Sequence, residues 1–497
     1  MSSNEGIVVL TTREKEWWLS LQEIIPAIER VWDRIGRSGR KTVSTVCVPL
    51  PPEREQRLHA RASQVERIVL TTVTPGTVQA ALRLRAQRVE PAPMTLYVHG
   101  DGPEGFEAFG ALTEVLTERD TFVVTCEAEA ATVRACFPNA RIERIPFPLV
   151  DLFKVNSRKP RTKDEITRLA YVGRVSEQKN LHHLLFALWI MRTSDAPAPA
   201  VTLDVYGGED NLGSPNMGLG SPGYGTYLRG LAETLGLADV VTWHGAKPRD
   251  WVFYNVHQEP HVLVSPTLHS DENFGSSVLA SLVNGHQVVT TAWGGHQGFQ
   301  EWFPEQLTLV PVHASPLGPV VDPGTLAGAL LGAVGRSSAV VEEADLDRGR
   351  AAFSEAAVTA RTLDMLGRPD RVPVPLEKSP VQRRIDERRV EFGGKRKIYA
   401  DYGDPLARVF FEAYGMEKPL RFEERSRYVL APWVSCSGDA VHIADPHRGN
   451  RTYQADDRTS TPCDVLLTPS LKTHALPERL VRELVAQGYA FSRELKG

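Results

Sequence analysis

The sequence predicts an α/β protein of two doubly wound parallel-sheet domains, followed by a small α+β extension. Three observations predict it. Short apolar runs alternate with helix-length amphipathic stretches from residue 7 to about 145, and again from about 166 to 340. Between these blocks, residues 155–165 (VNSRKPRTKDE) are polar, basic and without periodicity, as an interdomain linker would be. And 497 residues are too many for a single hydrophobic core, so two or three domains are expected. The expected boundaries are 1–155, 156–370 with a trailing helix, and 371–497.

In the first block, strands are expected at 7–12, 43–48, 67–73, 94–99, 122–125 and 142–145. Helical patterns lie at 14–36, 76–87, 104–117 and 128–136. The first helix carries Trp17, Trp18, Leu21, Ile24, Ile28 and Trp32 on an apolar stripe, with Pro26 as a kink point. Its tryptophans and basic residues would suit a peripheral contact with a membrane surface. Interleaved acids (Glu14, Glu16, Glu23, Glu29, Asp33) weigh toward a solvated face over a core. His99 ends its strand in TLYVHGDGPEG, where it can face a ligand or bond to backbone. No Gly-x-Gly-x-x-Gly follows the first strand, so a nicotinamide dinucleotide is not expected there.

Composition excludes several classes. Charged residues are 24%, hydrophobic residues 42% and net charge −4, so wholesale nucleic-acid binding is not indicated. The five cysteines are scattered without a CxxC pair, which fits reduced thiols better than a disulfide scaffold or structural zinc. No secretory leader pattern opens the chain and no apolar run would span a bilayer, so a cytoplasmic protein is expected.

The second block holds the chemistry. A strand at 169–172 ends in Gly173, and a helix begins near Asn180, with Arg174 and Lys179 in the loop between. At a strand's carboxyl end, an arginine fork and a lysine point charge suit a diphosphate. Strands follow at 201–206, 240–243, 262–264, 288–291 and 307–310. The stretch 261–299 reads strand, loop, helix, strand. An acid, Glu272, stands just before the helix that opens near Gly275-Ser276-Ser277, where free N–H groups can hold an anion.

These residues resemble the GT-B glycosyltransferases, nearest to the retaining family numbered 4. The resemblance rests on Val172-Gly173-Arg174 through Lys179-Asn180, Gly207-Gly208, LRGLAETLGL at 228–237, Gly245, Ser265-Pro266, Glu272-Asn273-Phe274-Gly275, Val278-Leu279, Gly285, Val288-Val289 and Gly294-Gly295. It covers about 166–340 well and the first block in layout only. It implies two Rossmann-like domains facing a central cleft, and transfer of a sugar from a nucleotide-sugar (UDP- or GDP-sugar) with retention of configuration. It further implies that Arg174, Lys179, Gly275, Ser276 and Ser277 bind the donor diphosphate. Glu272, Asn273, Phe274 and His99 would bind the donor sugar. Gly245, Ala246, Ala280 and Ser281 would lie near the nucleotide. Arg174, Lys179, Glu272 and His99 would be catalytic. No metal and no separate cofactor are implied. The acceptor (glycan, lipid, small molecule or peptide) and the oligomeric state are left open.

The chain departs from the family pattern at two places. Ala280 stands where the signature has a second glutamate, the acid that usually holds the ribose hydroxyls. Thr11-Thr12-Arg13 follows the first strand in place of a glycine-rich loop. A degenerate GT-B protein that binds a sugar, a nucleotide or a partner enzyme is therefore the alternative; an epimerase or phosphorylase is a further one. Beyond 371, a basic Pro-containing stretch reads as linker. The extension reads as α+β or winged-helix-like, with strands at 429–435 and 440–444 and a helix at 477–491. His442, Asp445 and His447 invite a metal reading, but their DPHRGN context favours a hairpin turn.

Overall fold

The structure is a computed structural model. It describes all residues except 1–5, 14–19, 61, 88, 101–109, 150–165, 195–198, 210–222, 271, 338–340, 392–401, 425, 438–439, 446–448, 455–460 and 496–497. Trp17, Trp18, the start of the expected 104–117 helix, the 155–165 linker and His447 lie outside the described residues. The chain divides into two compact units, Met1–Phe153 with Asp347–Ile398, and Lys154–Leu346 with Tyr399–Gly497.

The first unit is built on six strands: β1 (Gly6–Thr12), β2 (Thr42–Val48), β3 (Val65–Leu70), β4 (Met94–Tyr97), β5 (Thr121–Val124) and β6 (Arg141–Arg144). Their order is β2-β1-β3-β4-β5-β6, and every pairing is parallel. A central parallel strand has helices on both faces, so its apolar run is continuous, as Ile7 to Leu10 shows. The helix Leu21–Arg37 buries Leu21, Ile24, Ile25, Ile28, Val31, Trp32 and Ile35, the stripe that 3.6-residue periodicity aligns. The helix Pro75–Ala86 starts with a reciprocal Thr74–Thr77 capping box and Pro75 in its first turn.

The expected second-domain boundary at 370 is corrected. The helix Glu355–Gly367 belongs to the first unit. Glu355 pairs there with Arg30 (3.0 Å) and Arg34 (3.4 Å). Arg141 donates to the carbonyls of Met365 and Pro369, and Ser379 N–H to the carbonyl of Cys136 (3.0 Å). The sequence showed only that a helix trails the second block. It could not show against which sheet that helix packs.

The second unit is built on β7 (Thr167–Val172), β8 (Val201–Tyr206), β9 (Val241–Gly245), β10 (Val262–Ser265), β11 (Gln287–Thr291) and β12 (Leu307–Val310). The order is β12-β11-β10-β7-β8-β9, again parallel throughout. The chain starts at the centre with β7, winds outward to β9, then returns to β10 on the other side. This is the Rossmann order, and the gap between the carboxyl ends of β7 and β10 is its topological switch point. The molecule is thus two Rossmann-like α/β units with additional small sheets.

Residues 402–497 are built into the second unit. Met416 pairs with Val312 in a three-stranded sheet. Trp433 and Phe491 pack on His183 and Phe186 of the helix Leu181–Thr193. That helix is therefore buried from Leu181 to Met191, which is why its sequence is apolar nearly all round. Strand Ala440–Asp445 pairs antiparallel with Gly449–Gln454, and His442 meets Ser437 (3.0 Å) and Thr452 (3.2 Å) across it. Among the described residues no helix is long and apolar enough to cross a membrane.

Candidate functional site

The loops leaving β7 and β10 form one hydrogen-bonded assembly at the switch point. After β7, Gly173 N–H donates to the Tyr206 carbonyl (3.0 Å) and Val175 N–H to that of Gly208 (2.9 Å). Gly207 is needed for this approach, because a Cβ on it would lie 1.7 Å from the Gly173 carbonyl oxygen. A short 3-10 turn, Glu177–Lys179, then places Asn180 in the left-handed region (φ 60°) and starts the helix. Leu268 N–H donates to the Gln178 carbonyl (2.7 Å), which ties the β10 loop to the β7 loop.

The β10 loop is held from the other side by β11 and the turn after it. Thr290 Oγ1 donates to the Ser265 carbonyl (2.7 Å) and Thr291 Oγ1 to that of Thr267 (2.6 Å). Trp293 Nε1 donates to the His269 carbonyl (2.7 Å), and Gly295 N–H to that of Glu272 (2.8 Å). Trp293 packs in turn on Phe411 and Tyr414 of the carboxyl-terminal extension.

This scaffold brings three of the expected residues together. Lys179 Nζ lies 2.5 Å from Glu272 Oε2, with both side chains about 15% exposed. Arg174 donates to His269 Nε2 (2.9 Å). Burial alone would raise the Glu272 carboxyl. The Lys179 ammonium, ion-paired and hydrogen-bonded to it, outweighs burial and holds the carboxyl well below the usual range. His269 is pushed well below its ordinary value by burial, then by the charges of Lys179 and Arg174. Burial lowers His296 to about 4. Both imidazoles are therefore neutral near pH 7.

The sequence reading missed His269, His296 and Trp293. Each is a lone residue without motif spacing; His269 sits in the β10 loop itself, and the turn after β11 brings Trp293 and His296 to it. The hydrogen bonds fix the His296 tautomer. Thr290 gives its one proton to Ser265, so it accepts from His296 Nδ1–H (2.6 Å). His296 Nε2 is then an acceptor, 3.9 Å from Glu272 Oε1. Two acceptors at that distance can be bridged by a water, or each can accept from its own ligand hydroxyl.

Gly275 precedes the helix Ser276–Val283 with φ 78°, and a Cβ there would lie 2.5 Å from the His296 ring. Glycine is thus dictated by both backbone and space. Asn273, Phe274, Ser276 and Ser277 flank it, and Phe274 is buried against Phe299. Ala280 and Ser281 are fully buried. The Ser281 hydroxyl faces His257 and His261 (both 3.4 Å), at the amino edge of the sheet. Ser281, expected near the nucleotide, thus has its hydroxyl turned toward that edge. Gly245 and Gly207 instead border a pocket of about 90 Å³, with Val175, Glu209, Arg229 and Trp243. Ala246 lies beside it against Gly208.

His99 belongs to the first unit. It follows β4, its Nε2–H donates to the Thr71 carbonyl (2.6 Å), and its ring stacks on Phe147. Buried Glu129 joins the same sheet edge by accepting from Gly100 N–H (2.7 Å) and Thr125 N–H (2.8 Å).

Residues 153–300 match the family model described as Glycosyl transferases group 1. The match spans β7 to β11 and contains Arg174, Lys179, His269, Glu272 and His296. The matched stretch is less than a third of the chain, and the likeness to that family is a finding about this stretch. No curated protein matches the chain. Solved structures similar to it include HepE of Anabaena in complex with UDP and glucose (14% identity, 73% of this chain and 99% of that one, TM-score 0.48). The lipopolysaccharide outer core galactosyltransferase WaaB in its apo form is similar at 12% identity (72% and 99%, TM-score 0.47). A glycosyltransferase from Rickettsia africae is similar at 11% (73% and 97%, TM-score 0.49). At these identities and TM-scores the likenesses carry no argument about activity.

Proposed function

We propose that the chain transfers a sugar from a nucleotide-sugar donor to an acceptor, with retention and without a metal ion in the transfer step. The observation that carries this reading is the convergence of Arg174, Lys179 and Glu272 at the β7/β10 switch point. Bond breaking at the anomeric carbon leaves growing negative charge on the nucleoside diphosphate. Arg174, Lys179 and the N–H groups at 275–277 would stabilise that charge more in the transition state than in the bound donor, which is what accelerates a reaction. Lys179 has three donors and Glu272 uses one of them, so the ammonium can meet phosphate while the pair persists. Glu272 Oε1 and His296 Nε2 would accept from sugar hydroxyls.

The test is turnover. The purified chain is incubated with a panel of UDP- and GDP-sugars, and nucleoside diphosphate release is followed with and without candidate acceptors. The reading expects release from at least one donor, reduced about 10²–10³-fold in Arg174→Ala. No release from any donor, with none lost on substitution, would favour the non-catalytic binding protein.

A further inference from the structure

A second cluster of chemistry lies at the opposite edge of the same sheet. His257 follows the helix Arg249–Val256, His261 immediately precedes β10, and His286 immediately precedes β11. Helices run antiparallel to the strands in this fold, so all three meet at the amino edge. They are 0%, 2% and 0% exposed, and one ring nitrogen of each lies within 4.8 Å of those of the other two. The His261 and His286 rings stack with centroids 3.9 Å apart.

The hydrogen bonds set which nitrogens are donors to a metal. His261 Nδ1 meets the Glu259 carbonyl (2.9 Å), and a carbonyl can only accept, so Nδ1 is protonated and Nε2 holds the lone pair. His286 Nε2 meets the His257 carbonyl (2.9 Å), so its lone pair is on Nδ1. Imidazoles whose second nitrogen donates to a backbone carbonyl are oriented as metal-ligating histidines are. Ser281 Oγ lies 3.4 Å from both His257 Nδ1 and His261 Nε2, within reach of a fourth position.

We propose that His257, His261 and His286 form a binding site for a first-row divalent transition metal of the zinc class, with Ser281 or a water completing the coordination. Three nitrogen ligands and no carboxylate select zinc, cobalt, nickel or copper over magnesium and calcium. Tetrahedral geometry with metal–nitrogen bonds of about 2.0–2.1 Å places ligand atoms roughly 3.3 Å apart. Binding therefore draws the rings inward.

The site is structural. His261 is four residues before Ser265, about 13 Å along β10 from the edge that carries Glu272. A bound metal would clamp β10, β11 and the helix Arg249–Val256 at the end remote from that edge. The sequence reading expected no metal site; this cluster of three histidines lies apart from the donor-site residues.

The experiment uses the full chain without an affinity tag, stripped with a chelator and dialysed. Co²⁺ is titrated as a spectroscopic probe and then displaced with Zn²⁺. The expected result is one equivalent of Co²⁺ with the visible absorption of a four-coordinate nitrogen site, displaced one for one by zinc. Zinc should also raise the melting temperature. His286→Gln and His257→Gln should weaken binding by more than the about 10–100-fold that loss of an outer-shell partner costs. His442→Gln, at an exposed histidine pair with Thr452, should leave it unchanged. Sub-stoichiometric uptake, or unchanged binding in the two variants, would overturn the proposal. If those variants do not fold, zinc X-ray absorption on the unsubstituted chain decides: three imidazole shells support the site, and an oxygen-dominated shell overturns it.

Discussion

Lys179→Met removes the main counter-charge of Glu272 while keeping an apolar stem of similar length. The pair sits 2.5 Å apart with side chains about 15% exposed, so the carboxylate left behind is largely cut off from water. Breaking a buried pair by removing one partner costs about 3–5 kcal/mol, most of it the penalty of the stranded charge. The double variant Lys179→Met/Glu272→Gln removes both charges and should recover most of that loss. The pH dependence gives a second signature. In the native chain the Glu272 carboxyl titrates below its unfolded value of about 4.3. Its contribution is complete above that pH and is lost as pH falls through the native value. In Lys179→Met, burial is largely unopposed and raises the carboxyl above the unfolded value. The deficit is then greatest at neutral pH and shrinks as pH falls through the raised value. Urea unfolding followed by tryptophan fluorescence and circular dichroism measures both effects. Two units can unfold separately, so the transition reporting Trp293 is the relevant one. A cost under about 1 kcal/mol, a double variant no more stable than the single, or a deficit that grows on acidification would refute the electrostatic account.

Three further outcomes follow from the same geometry. Gly207→Ala should lower stability by about 1–3 kcal/mol, because its Cβ would sit 1.7 Å from the Gly173 oxygen and the β7 loop must move; thermal melting and donor turnover should fall together. Gly275→Ala should cost about 1–2 kcal/mol from its left-handed backbone alone, read by urea midpoint, with further loss from contact with His296. Burial lowers His296 to about 4, so the unfolded chain binds a proton there that the folded chain refuses between about pH 6.5 and 4. Stability should fall by about 3 kcal/mol from this group as pH drops across that window, and His296→Gln should flatten the slope.

The sheet framework was legible because parallel strands buried on both faces read as unbroken apolar runs. All twelve strands of the two large sheets were anticipated, such as 94–99 for Met94–Tyr97 and 307–310 for Leu307–Val310. Strand ends followed by helix starts put Arg174, Lys179 and Glu272 at one sheet edge, and the resemblance to the GT-B glycosyltransferases supplied their expected roles. Their mutual pairing was not legible, since it depends on how far the β7 and β10 loops lean together. The histidines were harder still. His257 and His261 stand four residues apart in HQEPH, a spacing that could have raised the metal question, but His286 joins them only through the β10–β11 crossover. The extension was seen as two strands and a helix. The strands Gly449–Gln454, Pro462–Leu467 and Lys472–Pro477 escaped notice because polar, half-exposed edges carry weak periodicity; the helix Pro405–Tyr414 was legible, with Asp404 and Pro405 at its start, Gly415 at its end and Leu406, Phe410, Phe411 and Tyr414 on its buried face, and was overlooked.

The central claim is that the β7/β10 switch point holds a nucleoside diphosphate. It is tested most directly by comparing the affinities of UDP and GDP with those of UMP and GMP, for the unsubstituted chain and for Arg174→Ala. The account predicts that the better diphosphate binds at least about 10-fold tighter than its monophosphate, as one charge-assisted contact of about 1.5–3 kcal/mol requires. It predicts that Arg174→Ala erases most of that difference. Equal affinity for mono- and diphosphates, or a difference untouched by the substitution, would contradict it.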